Sequence, residues 1–503
     1  MDYLDRLAAW AATTPLDALP VAVREHAAVV IADSLGVTVH GHRQRVERRG
    51  RGPGGEAVEV VHAQTVAAAT TPFDALPVAV RERAAVVIAD SLGVTVHGMQ
   101  VPEMRALVAR HLAGDRPGRA SVIGAGRRAD PATAALLNGT AGTWIDMNEG
   151  NLHANGHPGI QVIPLAWAVA EQDARSGRDL LAAFVAGYEV SARIKRASAT
   201  RLAVHPHGTF GTIGAAVALA RLLGYDPTAM RTIINVAATL GVAASRRALT
   251  TGATVRNVYT GLSGSMGWLA HTLVQSGFTG EPDGVASVYG AIYADRFDPD
   301  RAVAGLGEEF LLPRGFIKVH ACGRYIHGAL DCVETMMERR PLPPPSVQAI
   351  LVRTYAMAAS LGHAEVSSEF GARFSLPFAV ASLVCHGRSG LDNYDATALA
   401  DPRIRALARR VEVKEDPEAT RAFPGRQPTE VTVVLADGTR IVERSDFHRG
   451  EAELPHPPGA VRAKFLELAA PTWGRARAEA VHDRVVELER VTDVAAIAGD
   501  TPL

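Results

Sequence analysis

The chain has 503 residues, 47% of them hydrophobic, with 52 Lys+Arg against 53 Asp+Glu and a formal charge of −1. So even a balance leaves no electrostatic footprint for nucleic acid or an anionic membrane, and no apolar stretch reaches the roughly 18 residues that a spanning helix needs. The three cysteines, Cys322, Cys332 and Cys385, contain no close pair, and the start MDYLDRLAAW lacks the cationic and apolar plan of a secretory leader. A soluble, cytoplasmic protein of two or three domains is expected.

The first elements form a repeat. Residues 11–41 return as residues 68–98 with only Leu16/Phe73 and His26/Arg83 changed. Repeat folds need about three diverged copies to bury a continuous core, so one copy is surplus. The second runs straight into the rest of the chain and should take the folded position, leaving 1–67 peripheral. The arginine- and glycine-rich stretch 42–55 reads as a solvated linker. From 68 to 305 apolar residues recur at three- and four-residue spacing in segments such as VPEMRALVARHLAG, RDLLAAFVAGYEVSARIKRAS and GTIGAAVALARLLG, which predicts packed helices. From 306 to 446 the texture changes. SVQAILVRT and TEVTVVLADGTRIVERS alternate like strands, the second around an Asp-Gly turn, with helical HGALDCVETMMERR and SLPFAVASLVCHG between them. Residues 447–503 return to helix. The expected fold is mainly α: a large all-helical domain, an inserted smaller α+β domain, and C-terminal helices that rejoin the first.

Between apolar flanks, TWIDMNEGNLHANGHPG (143–159) gathers Asp146, Glu149, Asn151, His153 and His157. Gly150, Gly156 and Pro158 rule out one regular helix, and Pro158 suits a helix start. The histidines then lie on a loop that feeds a helix N-terminus, an end that favours anions. Imidazoles beside carboxylates make a coupled acid/base set, although capping and turn roles would use the same residue types. Glu149, His153 and His157 recur every four residues and would make a metal face on a helix, but the interleaved glycine and asparagines spoil that register. A second cluster, RLAVHPHGTFGTIGAA, carries His205 and His207, then Gly208, Gly211 and Gly214. No strand precedes them, so close helix packing is a better reading than dinucleotide binding. Two further clusters hold Arg256 and Tyr259 (TGATVRNVYTGLSG), and Lys318 and Arg324 (IKVHACGRYIHGALD). Lysine is scarce here, occurring only as Lys195, Lys318, Lys414 and Lys464, which singles out Lys318.

Taken in order, NGTAGTWIDMNEGNLHANGHPGIQVIPLAWAVAE, HPHGTFGTIGAAVALARLLGYD, GWLAHTLVQSGFTGEPDG, IKVHACGRYIHGALD and RFSLPFAVASLVCHG resemble the MmgE/PrpD family, over about residues 68–495. That family includes 2-methylcitrate dehydratase, cis-aconitate decarboxylase and iminodisuccinate epimerase. The resemblance implies an all-helical domain with an α+β lid, a homodimer, no metal or organic cofactor, and an active site in the cleft between domains. Asp146, His157, His205, Arg256, Tyr259 and Lys318 fall on the family's site positions. Where relatives read Lys-x-x-His-x-Gly, this chain has Arg256, Tyr259 and Gly261. The chemistry so implied moves a proton at carbon flanked by carboxylates. His157 would be the base, oriented by Asp146 or Glu149, and Tyr259 or His205 the acid. Arg256 and Lys318 would bind the carboxylates of a small di- or tricarboxylate, with His153, Asn151 and Arg324 as further contacts. A 2-methylcitrate dehydratase-like lyase is the leading expectation, ahead of an epimerase, a decarboxylase of a related acid, or a noncatalytic dimeric binder.

Overall fold

The second copy of the repeat forms a core helix, α1 (Val78–Gly98), buried at every position from Val87 to Val96. An apolar sequence all round a helix demands burial on all sides, and the copy meets that demand. Its two distinguishing residues are both used. Phe73 is covered by the guanidinium groups of Arg81 and Arg178, and Arg83 donates to the Gly315 carbonyl at 2.6 Å. The structure, a computed structural model, describes residues 71–114 and 118–498, all within the unit Glu56–Leu503. The first copy and the linker expected at 42–55 lie outside the described residues.

Helices dominate the next part of the chain: α2 (Pro102–His111), α3 (Pro131–Ala141), α4 (Pro158–Gln172), α5 (Gly177–Ala197), α6 (Phe210–Leu222), α7 (Pro227–Thr239) and α8 (Val258–Gln275). Several start as their sequences dictate. Asp130 and Asp226 cap α3 and α7 by accepting backbone N–H bonds, and Ser176 with Asp179 makes a capping box on α5. Two small antiparallel ribbons, β1 (Ala120–Val122) with β2 (Arg127–Ala129) and β3 (Ser198–Thr200) with β4 (Ala294–Phe297), interrupt a stretch that reads as helical throughout. The glycines after His207 serve packing, as expected. A Cβ on Gly214 would lie 2.7 Å from the Gly187 carbonyl of α5, and one on Gly211 would lie 2.3 Å from Gln161 of α4.

Beyond α8 the chain builds a second core around α9 (His327–Arg339), β5 (Val347–Thr354), α10 (Leu376–His386), β6 (Val411–Glu415), β7 (Thr429–Leu435) and β8 (Arg440–Ser445). The sheet order is β6-β5-β7-β8, with β5 and β6 parallel and the other pairs antiparallel. The Asp437-Gly438 turn joins β7 to β8 with Gly438 at φ +86. Val94, Ile145, Met147 and Leu468 of the helical part join this second core. Finally α11 (Ala460–Trp473) and α12 (Arg475–Val486) pack on α1. Lys464 of α11 and Asp90 of α1 form a buried ion pair at 2.5 Å. The fold is mainly α. Among the described residues no single helix is long and apolar enough to cross a membrane.

Candidate active site

Four segments converge on a cavity of about 140 Å³. The loop between α3 and α4 brings Asp146 and His157, and the approach to α6 brings His205 and His207. The extended run before α9 brings Lys318 and Arg324, while Arg256 comes from the turn leading into α8. An antiparallel bridge fixes the first segment to the third: Gly150 and Phe316 exchange both backbone hydrogen bonds, at 3.1 and 2.7 Å. The bridge holds Lys318 opposite Asp146.

Asp146 is the one carboxylate among the described residues that line the cavity. Its Oδ1 accepts from Arg256 Nη2 and its Oδ2 from Lys318 Nζ, both at 2.8 Å. Burial would raise its pKa, but Lys318 and then Arg256 outweigh burial and hold it at about 2. The residue sits at φ +52, a left-handed conformation that costs a non-glycine residue about 1–2 kcal/mol; the two cations tie it there. The same pairing occupies the cations. Lys318 gives its remaining hydrogens to the Asp146 carbonyl (2.7 Å) and the Cys322 carbonyl (3.2 Å), and Arg256 also donates to Thr143 O and Asn257 Oδ1. Expected as carboxylate binders, both have their donors largely committed within the protein.

The histidines carry complementary protons. His157 Nδ1 lies 2.6 Å from the Glu149 carbonyl oxygen, which can only accept, so the ring proton is on Nδ1 and Nε2 keeps its lone pair. Burial, then the charge of Lys318, pushes its pKa down to about 3, so the ring is neutral near pH 7. His205 is the opposite tautomer: its Nδ1 accepts the His207 amide N–H at 3.0 Å, leaving the proton on Nε2, and burial holds it neutral as well. His207 stands edge-on to both rings, with centroids 5.0 Å from His157 and 4.6 Å from His205, and neither of its buried nitrogens has a partner among the described residues.

Other expected site residues take different places. Glu149 orients His157 through its main-chain carbonyl. Its carboxylate is fully buried, accepting from Tyr188 OH (2.7 Å) and from Gly159 N–H at the start of α4 (3.0 Å). There it satisfies a helix-end donor, and burial pushes its pKa up to about 7. Asn151 lines the cavity, but its amide braces the loop through Leu311 O, Tyr188 OH and Ala154 N. Asn151 and Gly156 close a small loop by exchanging backbone bonds, and His153 lies on that loop outside the cavity lining. Glu149, His153 and His157 therefore do not gather as metal ligands. The His320, Asp331 and Glu334 ligand atoms do lie within 4.8 Å of one another, yet Asp331 and Glu334 already hold Arg449. Asp146 makes no bond to His157. Tyr259 stands edge-on to His205, centroids 5.6 Å apart, outside the cavity lining. Arg324 lines the cavity over the Phe316 ring but pairs with Glu451 at 2.8 Å. Three titratable lining residues escape the sequence reading of the site: His207, Arg246 and Tyr325. His207 had a signal, since it sits two residues after His205 in the same motif.

Comparison with known proteins fits this arrangement. The MmgE/PrpD N-terminal domain matches residues 63–299 and the MmgE/PrpD C-terminal domain residues 320–488. Among similar proteins are cis-aconitate decarboxylases. That of Aspergillus terreus is 24% identical, over 84% of this chain and 91% of that protein. Those of Mus musculus and Homo sapiens are each 26% identical over 73% of this chain, covering 77% and 78% of their own lengths. With both domains matched in order across a cavity that joins them, the chain belongs to the MmgE/PrpD family.

Proposed function

We propose that the protein is a metal-independent lyase that moves a proton at a carbon next to a carboxylate of a small di- or tricarboxylate, with decarboxylation of a cis-aconitate-like acid as its leading outcome. The carrying observation is the opposite protonation of two neutral imidazoles on one cavity: His157 with a free Nε2 lone pair and His205 with an Nε2–H. His157 takes the proton and, once charged, is the acid that returns it. His205 donates a hydrogen bond to the charge that develops on the carboxylate, since a neutral imidazole is a poor proton donor. The Arg256–Asp146–Lys318 group supplies a fixed positive field beside the reacting centre, which favours an enolate-like intermediate. In a decarboxylation the breaking C–CO2 bond itself leaves its electron pair on that intermediate, and one proton drawn from solvent and carried by His157 adds to carbon in place of the carbon dioxide lost.

The cis-aconitate decarboxylases among its relatives favour decarboxylation over the dehydration expected from the family's 2-methylcitrate branch. Dehydration remains the second reading, because removal of a carbon-bound proton by His157 would give a similar enolate-like intermediate, from which a hydroxyl group on the neighbouring carbon leaves. The α+β part, which contributes Lys318, Arg324 and Tyr325, acts in this proposal as a cover that excludes water from the cavity. Incubation with candidate acids in deuterated water, followed by NMR, tests the proposal. Deuterium entering carbon with release of carbon dioxide is expected; exchange with loss of water instead would assign the dehydratase. No exchange with any di- or tricarboxylate would sink the catalytic reading.

A further inference from the structure

Four cations line the cavity, and three already face a carboxylate. Arg256 and Lys318 share Asp146, and Arg324 holds Glu451. Arg246 differs. Among the described residues no carboxylate lies within 4.0 Å of it, although its buried Nε lacks a hydrogen-bond partner just as those of Arg256 and Arg324 do. Its backbone is tied down, N–H to the Ala203 carbonyl at 2.9 Å, so the side chain springs from a fixed point. Its neighbour on the cavity wall is Tyr325, whose hydroxyl donates to Asn155 Oδ1 at 3.4 Å. Tyr325 in turn rests on the stacked pair Tyr355 and Phe423, whose rings lie 4.7 Å apart. A half-buried arginine without a counter-ion on a cavity wall is an anion site awaiting its anion, since the planar fork matches a carboxylate.

We propose that Arg246 anchors the substrate carboxylate remote from the reacting carbon, so that the site requires at least two anionic groups on its substrate. This rests on the carboxylate-binding part of the proposed function. One carboxylate lies in the field beside His157, and the other forms a two-pronged pair with Arg246 under the Tyr325 hydroxyl. Arg246 is a specificity residue in this scheme and takes no part in proton transfer.

The test uses two unreactive probes, glutarate and its monoamide glutaramate, titrated by NMR or calorimetry into the full chain. The parental protein should bind the diacid about 30-fold or more tightly than the monoamide, as expected for a charged hydrogen-bonded pair. In Arg246→Met the preference should fall to about 3-fold or less, because the second carboxylate has lost its partner. Arg246→Lys keeps the charge without the fork and should fall between them, which also guards against a variant that misfolds. A parental protein that does not tell the two probes apart overturns the proposal, as does a Met variant that keeps the parental preference. If discrimination holds while no acid exchanges deuterium, the anchor stands and the catalytic reading falls; exchange without discrimination gives the reverse.

Discussion

Arg256 and Lys318 reach the cavity with most of their hydrogens already shared out, whereas Arg246 reaches it with a guanidinium that no carboxylate among the described residues holds. Burial explains the contrast. Lys318 is 1% exposed and Arg256 2% exposed, and a charge so far from water needs a partner inside the protein. Asp146 is that partner for both, and its own charge is kept by them. Arg246 is half-buried at the cavity wall, where water can solvate it until a ligand arrives. The buried group thus sets a permanent field for the neighbouring histidines, and the open arginine is free to recognise.

The largest expected effect separates those two tasks. His157→Ala should lower deuterium exchange about 10³-fold while changing glutarate affinity less than about 3-fold; a loss of affinity in parallel would mean that His157 binds rather than reacts. Asp146→Asn attacks the pairing itself. Two buried cations would face a neutral amide, and urea unfolding at pH 7 should show a loss of about 3–5 kcal/mol. Because Asp146 titrates at about 2 in the folded protein against 3.8 unfolded, its contribution is complete above pH 3.8. The gap between parent and variant should close as the pH falls towards 2. Equal stability at pH 7 would show that the pair is dispensable.

Glu149 offers the opposite sign. Its folded pKa of about 7 lies above the ordinary 4.5, so the folded state binds the extra proton and the parent loses stability as pH rises between those values. Glu149→Gln removes that dependence and should gain up to about 3 kcal/mol relative to the parent between pH 4 and pH 8. A flat difference would mean that the carboxyl is ionised throughout. The smallest effect is expected for Gly150→Ala. A Cβ there would fall 2.4 Å from the Phe316 ring and 2.8 Å from His157 Nδ1. It should cost about 1–3 kcal/mol in a melting experiment and slow exchange by shifting the His157 ring.

Much of this was legible in the chain. The long helices follow their apolar spacing, and the Asp437-Gly438 turn announces its hairpin. β6 escaped because VEVKE is a charged edge strand without a buried alternation, and β1 to β4 are too short to show a period. Asp146, His157, His205, Arg256, Lys318 and Arg324 do line one cavity. The sequence could not tell which way a side chain turns: Glu149 and Asp146 are three residues apart, and one carboxylate faces a helix end while the other faces two cations. Arg246 was hidden by abundance, as arginine supplies nearly all the basic residues of the chain. What distinguishes it is the absence of a nearby acid among the described residues, which only three-dimensional proximity reveals.

The bond from His157 Nδ1 to a peptide oxygen has an evolutionary consequence. Catalytic imidazoles steered by an aspartate or glutamate side chain can be switched off by one substitution at that partner. Here the steering group is part of the polypeptide itself, present whatever amino acid the codon specifies. Mutational drift at position 149 can therefore alter folding equilibria while leaving the reactive tautomer intact, and only a change in the local course of the main chain would reverse it.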